Sequence, residues 1–321
     1  MPTGSSPSLD TTIEFRIAGF TPGENTRNVT AHLVREAMDA MDLTSADVRR
    51  IVITDEHSYG STIREFATRA GYTNDGVYLG VGKNIPVLVD GAYQGSNLVL
   101  HHCLLGSFAP ATADHPEGTL EALRYGFYHE FGHCVDHRRR PAQHDEKLRP
   151  DLGSHARQVA ALNGETFLSE YAACFFSARF QTAAGYRYFA NASRRNLETY
   201  LTALAAKRTQ YRLGLGSLLP LRDAALDAFW RGLIEYGKMY AFLAGNPELA
   251  SGCDLPAWPA RNPATPALLA QLAQNLNGAW RAYPSCEAEF QRLIGEAWFA
   301  LAAAEGFRFE VKPEGDYLWL T

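Results

Sequence analysis

Three residues in the run TLEALRYGFYHEFGHCVDHRRRP have the types and spacing for metal chemistry: His129, Glu130 and His133, an HExxH pattern. On a helix, residues four apart share one face, roughly 6 Å apart along the axis. Two imidazoles so placed can converge on one Zn²⁺ with Zn–N bonds of about 2.0–2.1 Å. Glu130, next to the first histidine, can then act as general base toward a water held at the metal. The surrounding residues predict the helix that this chemistry needs. Leu120, Leu123, Phe127, Phe131 and Cys134 recur every three or four residues, and Pro141 supplies a stop signal.

A catalytic zinc takes a third protein ligand and keeps one position open. His137 continues the i+4 series, but on a continuous helix it lies about 12 Å along the axis from His129, too far to share one ion with His133 between them. A helix break of the metzincin kind is also excluded, because Asp136 and Arg139 hold the positions of its Gly and third His. The segment GETFLSEYAACFFSA offers two carboxylates instead. Glu165 stands near the start of the segment, where the helix dipole favours an acid. Glu170 lies mid-helix among Phe167, Leu168, Tyr171, Cys174 and Phe175, where burying an unpaired carboxylate is costly. The cost favours Glu170 as the third ligand; the alternatives are Glu165 and a structural Glu170 paired with an Arg.

HEFGHCVDH followed by FLSEYAA resembles the gluzincin-type zinc metallopeptidases, and most closely the catalytic domain of anthrax lethal factor and its relatives. The resemblance covers about 50 residues, from Tyr125 to Phe175. It implies that His129, His133 and Glu170 bind zinc, that Glu130 is general base and proton shuttle, and that a sheet edge receives an extended peptide. Two positions depart from related patterns. Thermolysin-like enzymes carry an Asp four residues after the Glu ligand to orient a zinc histidine; Cys174 stands there, which leaves Asp136 as the candidate for that role. Lethal factor-like enzymes place a Tyr shortly before the Glu ligand to stabilise the oxyanion. No Tyr occurs between Tyr128 and Tyr171, and all ten histidines lie at or before His155. A donor from the C-terminal half is then a Tyr or Arg, with Tyr236 and Tyr240 as candidates that also fit a core or rim position.

The elements that must position these residues read as an α+β chain. Strand patterns at 13–20, 50–54, 85–90 and 98–103 alternate with helical patterns at 28–42 and 60–70. From about 117 the chain reads as helices near 119–139, 164–180, 193–210, 219–243, 266–281 and 286–304, with an extended tail at 308–320. This predicts a flexible leader over 1–12, a zincin-like core over 13–185 with a mixed α/β layer, and a mainly helical portion over 186–321. His101 and His102 fall in a predicted strand and are expected on opposite faces. The glycines of YLGVGKN lack the full phosphate-loop fingerprint.

Composition narrows the function classes. The 321 residues carry 30 Lys+Arg against 35 Asp+Glu, a formal net charge of −5, which gives no overall electrostatic footprint for nucleic acid or an anionic membrane. No apolar run reaches the length of a membrane span, and the first residues lack a signal-peptide pattern, so a cytoplasmic chain is the default and non-classical secretion the alternative. Five widely spaced cysteines argue against a disulfide framework, with Cys253 and Cys286 the one pair to test. The expectation is a Zn²⁺ metallopeptidase acting on a peptide or protein. Two alternatives are a non-catalytic zinc-stabilised binding protein and a secreted effector protease with one protein target. The oligomeric state is left open.

Overall fold

The computed structural model describes residues 11–66, 82–90, 92–114, 116–140, 155–259, 262–312 and 315–320. Its chain divides into two units, Met1–Leu148 with Arg179–Gly185, and Arg149–Ala178 with Tyr186–Thr321. The boundary differs from the predicted 13–185 core, because the helix carrying Glu170 clusters with the helical C-terminal residues.

The first unit is built on a four-stranded sheet of order β1-β2-β4-β3, with β1 (Thr12–Arg16), β2 (Val48–Thr54) and β4 (Ala92–His101) parallel and β3 (Gly82–Val89) antiparallel at one edge. The runs Ile51-Val52-Ile53 and Leu98-Val99-Leu100 are buried throughout, as expected of central strands covered on both faces. Pro86 lies in β3, consistent with an edge strand, where a missing N–H breaks no central ladder. Helices α1 (Glu24–Ala40), α2 (Tyr59–Phe66), the short α3 (Cys103–Gly106) and α4 (Glu117–Arg139) complete the unit.

Consecutive side chains of β3 show how the sheet is covered. Asn84 donates to the carbonyl of Glu130 on α4, whereas Ile85 packs with Tyr59 and Ile63 of α2. Neighbouring strand residues point to opposite faces, so α4 and α2 lie on opposite sides of the sheet at β3. The predicted leader is too long by two residues. Thr11 is buried with its hydroxyl donating to the carbonyl of Val48 at 2.7 Å, and Thr12 begins β1; residues 1–10 lie outside those described.

The second unit contains α5 (His155–Ser177), α6 (Ala183–Arg212, from Tyr186 onward), α7 (Leu218–Gly245), α8 (Pro247–Gly252), α9 (Thr265–Trp280), α10 (Glu287–Ala304) and a hairpin of β5 (Phe307–Lys312) with β6 (Gly315–Leu320). Helix α5 packs against α7 and α10. Its Phe167, Leu168, Tyr171, Ala172, Ala173 and Cys174 are all buried, as befits a helix surrounded by partners. Aromatic contacts dominate this core: Tyr171 meets Trp280 at 5.1 Å between ring centroids, and Trp230 stacks on Trp298 at 5.5 Å. All five cysteines are free thiols, Cys253 and Cys286 included. Among the described residues, no helix is long and apolar enough to cross a membrane.

Candidate metal centre

Helix α4 runs through the HExxH segment without a break and ends at Arg139, with Arg140 leaving the helical conformation at φ −129° and ψ 56°. Pro141 itself lies outside the described residues. His129 and His133 stand one turn apart, ring centroids 4.7 Å from each other. His133 and Glu130 are buried, and His129 is half-exposed. One donor atom each from His129, His133 and Glu170 lies within 4.8 Å of the other two. Around a tetrahedral Zn²⁺ with bonds of about 2.1 Å, donors sit about 3.4 Å apart, and these three groups are ones that could hold a metal ion. Two imidazoles and a carboxylate are also a donor set that zinc prefers.

Glu165 and His137 do not belong to this group. His137 directs Nδ1 toward the hydroxyl of Ser96 on β4 at 3.4 Å, with its ring 6.0 Å from that of His133. Glu170 has a cationic partner: Lys238 Nζ on α7 is 3.0 Å from its Oε2. This corrects the expectation that a structural Glu170 would pair with an Arg. It also changes the argument for a ligand role, because Lys238 already offsets the cost of burying the carboxylate. The proximity of the two histidines carries that role instead. A carboxylate has two oxygens with two lone pairs each, so Glu170 can hold Lys238 and ligate at the same time. Burial works against the Lys238 ammonium, but Glu170 and then Glu235 outweigh it and hold the pKa above its ordinary value.

Several neighbours were not visible from sequence spacing. Tyr125, one turn before His129 and fully buried, brings its hydroxyl to 3.4 Å from His129 Nδ1, an orienting contact of the kind that fixes a metal-binding imidazole. Asn84 Nδ2 spans from the Glu130 carbonyl at 3.1 Å to Cys134 Sγ at 2.9 Å, tying α4 to the edge strand. Burial pushes the Cys134 thiol up to about 12, so it is a neutral core group at neutral pH. Gly82 faces the Glu130 side chain. A Cβ at this position would stand 2.4 Å from Glu130 Cγ and 2.7 Å from Oε1, so the absence of a side chain makes the room the carboxylate occupies. Tyr59 is buried as well, and its phenol pKa is raised first by burial and then by the charge of Glu130.

Asp136, the candidate for orienting an imidazole, is buried and engages Arg140 through both carboxylate oxygens, with Arg140 Nε at 2.6 Å from Oδ1. This guanidinium stands one helical turn on. Tyr236 is buried, and its hydroxyl donates to the Leu269 carbonyl at 3.4 Å; burial pushes its pKa up to about 12. That bond gives Tyr236 the core role. Tyr240 is half-exposed and lies 6.3 Å from the Tyr171 ring. His101 and His102 do not point apart as expected. The strand ends at His101, His102 turns into the α conformation, and the two rings come to 4.4 Å.

Comparison with protein-family models, with curated proteins and with solved structures returns no match to this chain.

Proposed function

We propose that the chain is a zincin-type zinc metallopeptidase, with His129, His133 and Glu170 holding Zn²⁺ and Glu130 as general base. The observation that carries this reading is the approach of the three donor groups to within 4.8 Å, with Glu130 adjacent to the first of them on the same helix. Zinc held there would supply Lewis acidity toward a scissile carbonyl and lower the pKa of a water toward neutrality. The chain's own residues do the rest. Tyr125 fixes the His129 ring. The Glu130 carboxylate, seated against Gly82, takes a proton from the attacking water and returns it to the departing amine. Among the described residues strand β3 pairs with β4 alone, and an extended peptide would add to its other edge by strand addition. That edge begins at Gly82, beside Glu130, which supports a peptide or protein as the substrate.

Glu130→Gln tests the role of the base. It keeps the shape of the side chain and removes its basicity, so zinc content should match wild type while peptide hydrolysis falls by about 10²–10⁴-fold. A Glu130→Gln protein that hydrolyses a cleavable substrate as fast as wild type would overturn the assignment.

A further inference from the structure

The turn between α6 and α7 exposes four leucines within seven residues. Leu213 is 67% exposed, Leu215 76%, Leu218 38% and Leu219 59%. The local backbone explains why they are not tucked away. Helix α6 ends in a Schellman motif: Gly214, at φ +69°, donates to the Tyr211 carbonyl at 3.0 Å, and Leu215 donates to that of Gln210 at 2.9 Å. In such a motif the residue at the Leu215 position normally packs on an apolar residue at the Gln210 position. Here that position is polar, so Leu215 projects without its usual contact. Leu218 and Leu219 open α7, in a first turn that holds no acidic residue.

The same stretch has a charge of one sign. Lys207, Arg208, Arg212 and Arg222 lie between residues 199 and 222, with no Asp or Glu. Arg222 is paired with Asp223, and Arg208 is held by the Glu305 carbonyl and the Phe307 ring. Lys207 and Arg212 are exposed and make no ion pair among the described residues. An apolar tip beside free cations has the chemistry of an interfacial anchor: leucines enter the acyl boundary and the cations meet acidic headgroups. It lacks the aromatic anchors that dominate protein hot spots, where leucine is under-represented.

We infer that the α6–α7 turn is a peripheral docking tip for an anionic lipid surface, with Leu213, Leu215, Leu218 and Leu219 as the inserting residues. The net charge of −5 does not oppose this, because charges beyond about a Debye length are screened and the contact is local. The inference is independent of the metal centre.

Co-sedimentation of the full chain with vesicles tests it, using phosphatidylcholine with phosphatidylserine against phosphatidylcholine alone. The wild type should partition onto the serine-containing vesicles and be released by salt. A variant with all four leucines changed to serine should bind at least about tenfold more weakly, with an unchanged melting temperature. Lys207→Glu with Arg212→Glu should weaken binding and flatten its salt dependence. Wild type that does not bind, that binds both vesicle types equally, or that binds no better than the serine variant would overturn the proposal. So would leucine-dependent dimerisation in the absence of vesicles, which would assign the tip to a second copy of the chain.

Discussion

Gly82 does for Glu130 what no sequence motif records. Sequence spacing made the HExxH residues legible because their chemistry depends on the fixed geometry of one helix turn. Gly82 lies 48 positions before Glu130, and its role is the lack of a side chain, which has no chemical signature of its own. The two make contact only because β3 packs against α4. A methyl at this position would press on Glu130 Cγ, and displacing the side chain is easier than moving the strand. Gly82→Ala is therefore expected to retain zinc and to lose about 100-fold in hydrolysis, since a catalytic group misplaced by about 1 Å costs that much. Full activity in the variant, or loss of the metal, would contradict this account of Glu130. Lys238 was hidden for a similar reason: nothing in FLSEYAA shows that a cation on α7 meets Glu170 at 3.0 Å.

Most of the elements were readable from periodicity; the errors fall at their ends and at the short helices α3 and α8, which the periodicity did not reveal. Helices expected at 119–139, 219–243 and 286–304 are found at Glu117–Arg139, Leu218–Gly245 and Glu287–Ala304. Helix α6 begins ten residues before its predicted start. The β4 terminus matters more, since ending at His101 instead of Cys103 put both histidine rings on one side. Local caps are where hydrogen bonding, invisible in a hydropathy pattern, decides. Asp55, just before α2, accepts from the amides of Ala18, His57 and Ser58 and from the Ser58 hydroxyl. These bonds favour the carboxylate and hold its pKa well below the usual range. A depressed carboxylate pKa stabilises the fold above the unfolded value, near 3.9, and that contribution is lost as pH falls toward the folded value. Asp55→Asn should therefore melt lower than wild type at pH 7. The gap should hold down to about pH 5 and close below about pH 4. A gap that widens in acid would contradict the assignment.

At the scale of the whole molecule, total composition and site chemistry carry different information. A net charge of −5 described the average surface but not the basic, leucine-tipped turn at 207–222. The α+β class was legible because strand and helix periodicities separate cleanly along the chain. The division into units was not, because α5 is joined in sequence to the first unit yet packs against α7 and α10. Whether His129, His133 and Glu170 hold a single ion decides the metallopeptidase reading. The most direct test is zinc content per chain after dialysis, compared between wild type and Glu170→Gln. The amide can still accept a hydrogen bond from Lys238, and Glu235 remains as a carboxylate neighbour of that ammonium, so the variant loses the ligand charge while the cation keeps an acceptor and a countercharge; its melting temperature is compared alongside. About one zinc per wild-type chain is expected, with metal lost in the variant and Glu165→Ala behaving as wild type. Wild type without zinc after reconstitution, or Glu170→Gln that holds it as tightly, would contradict the reading.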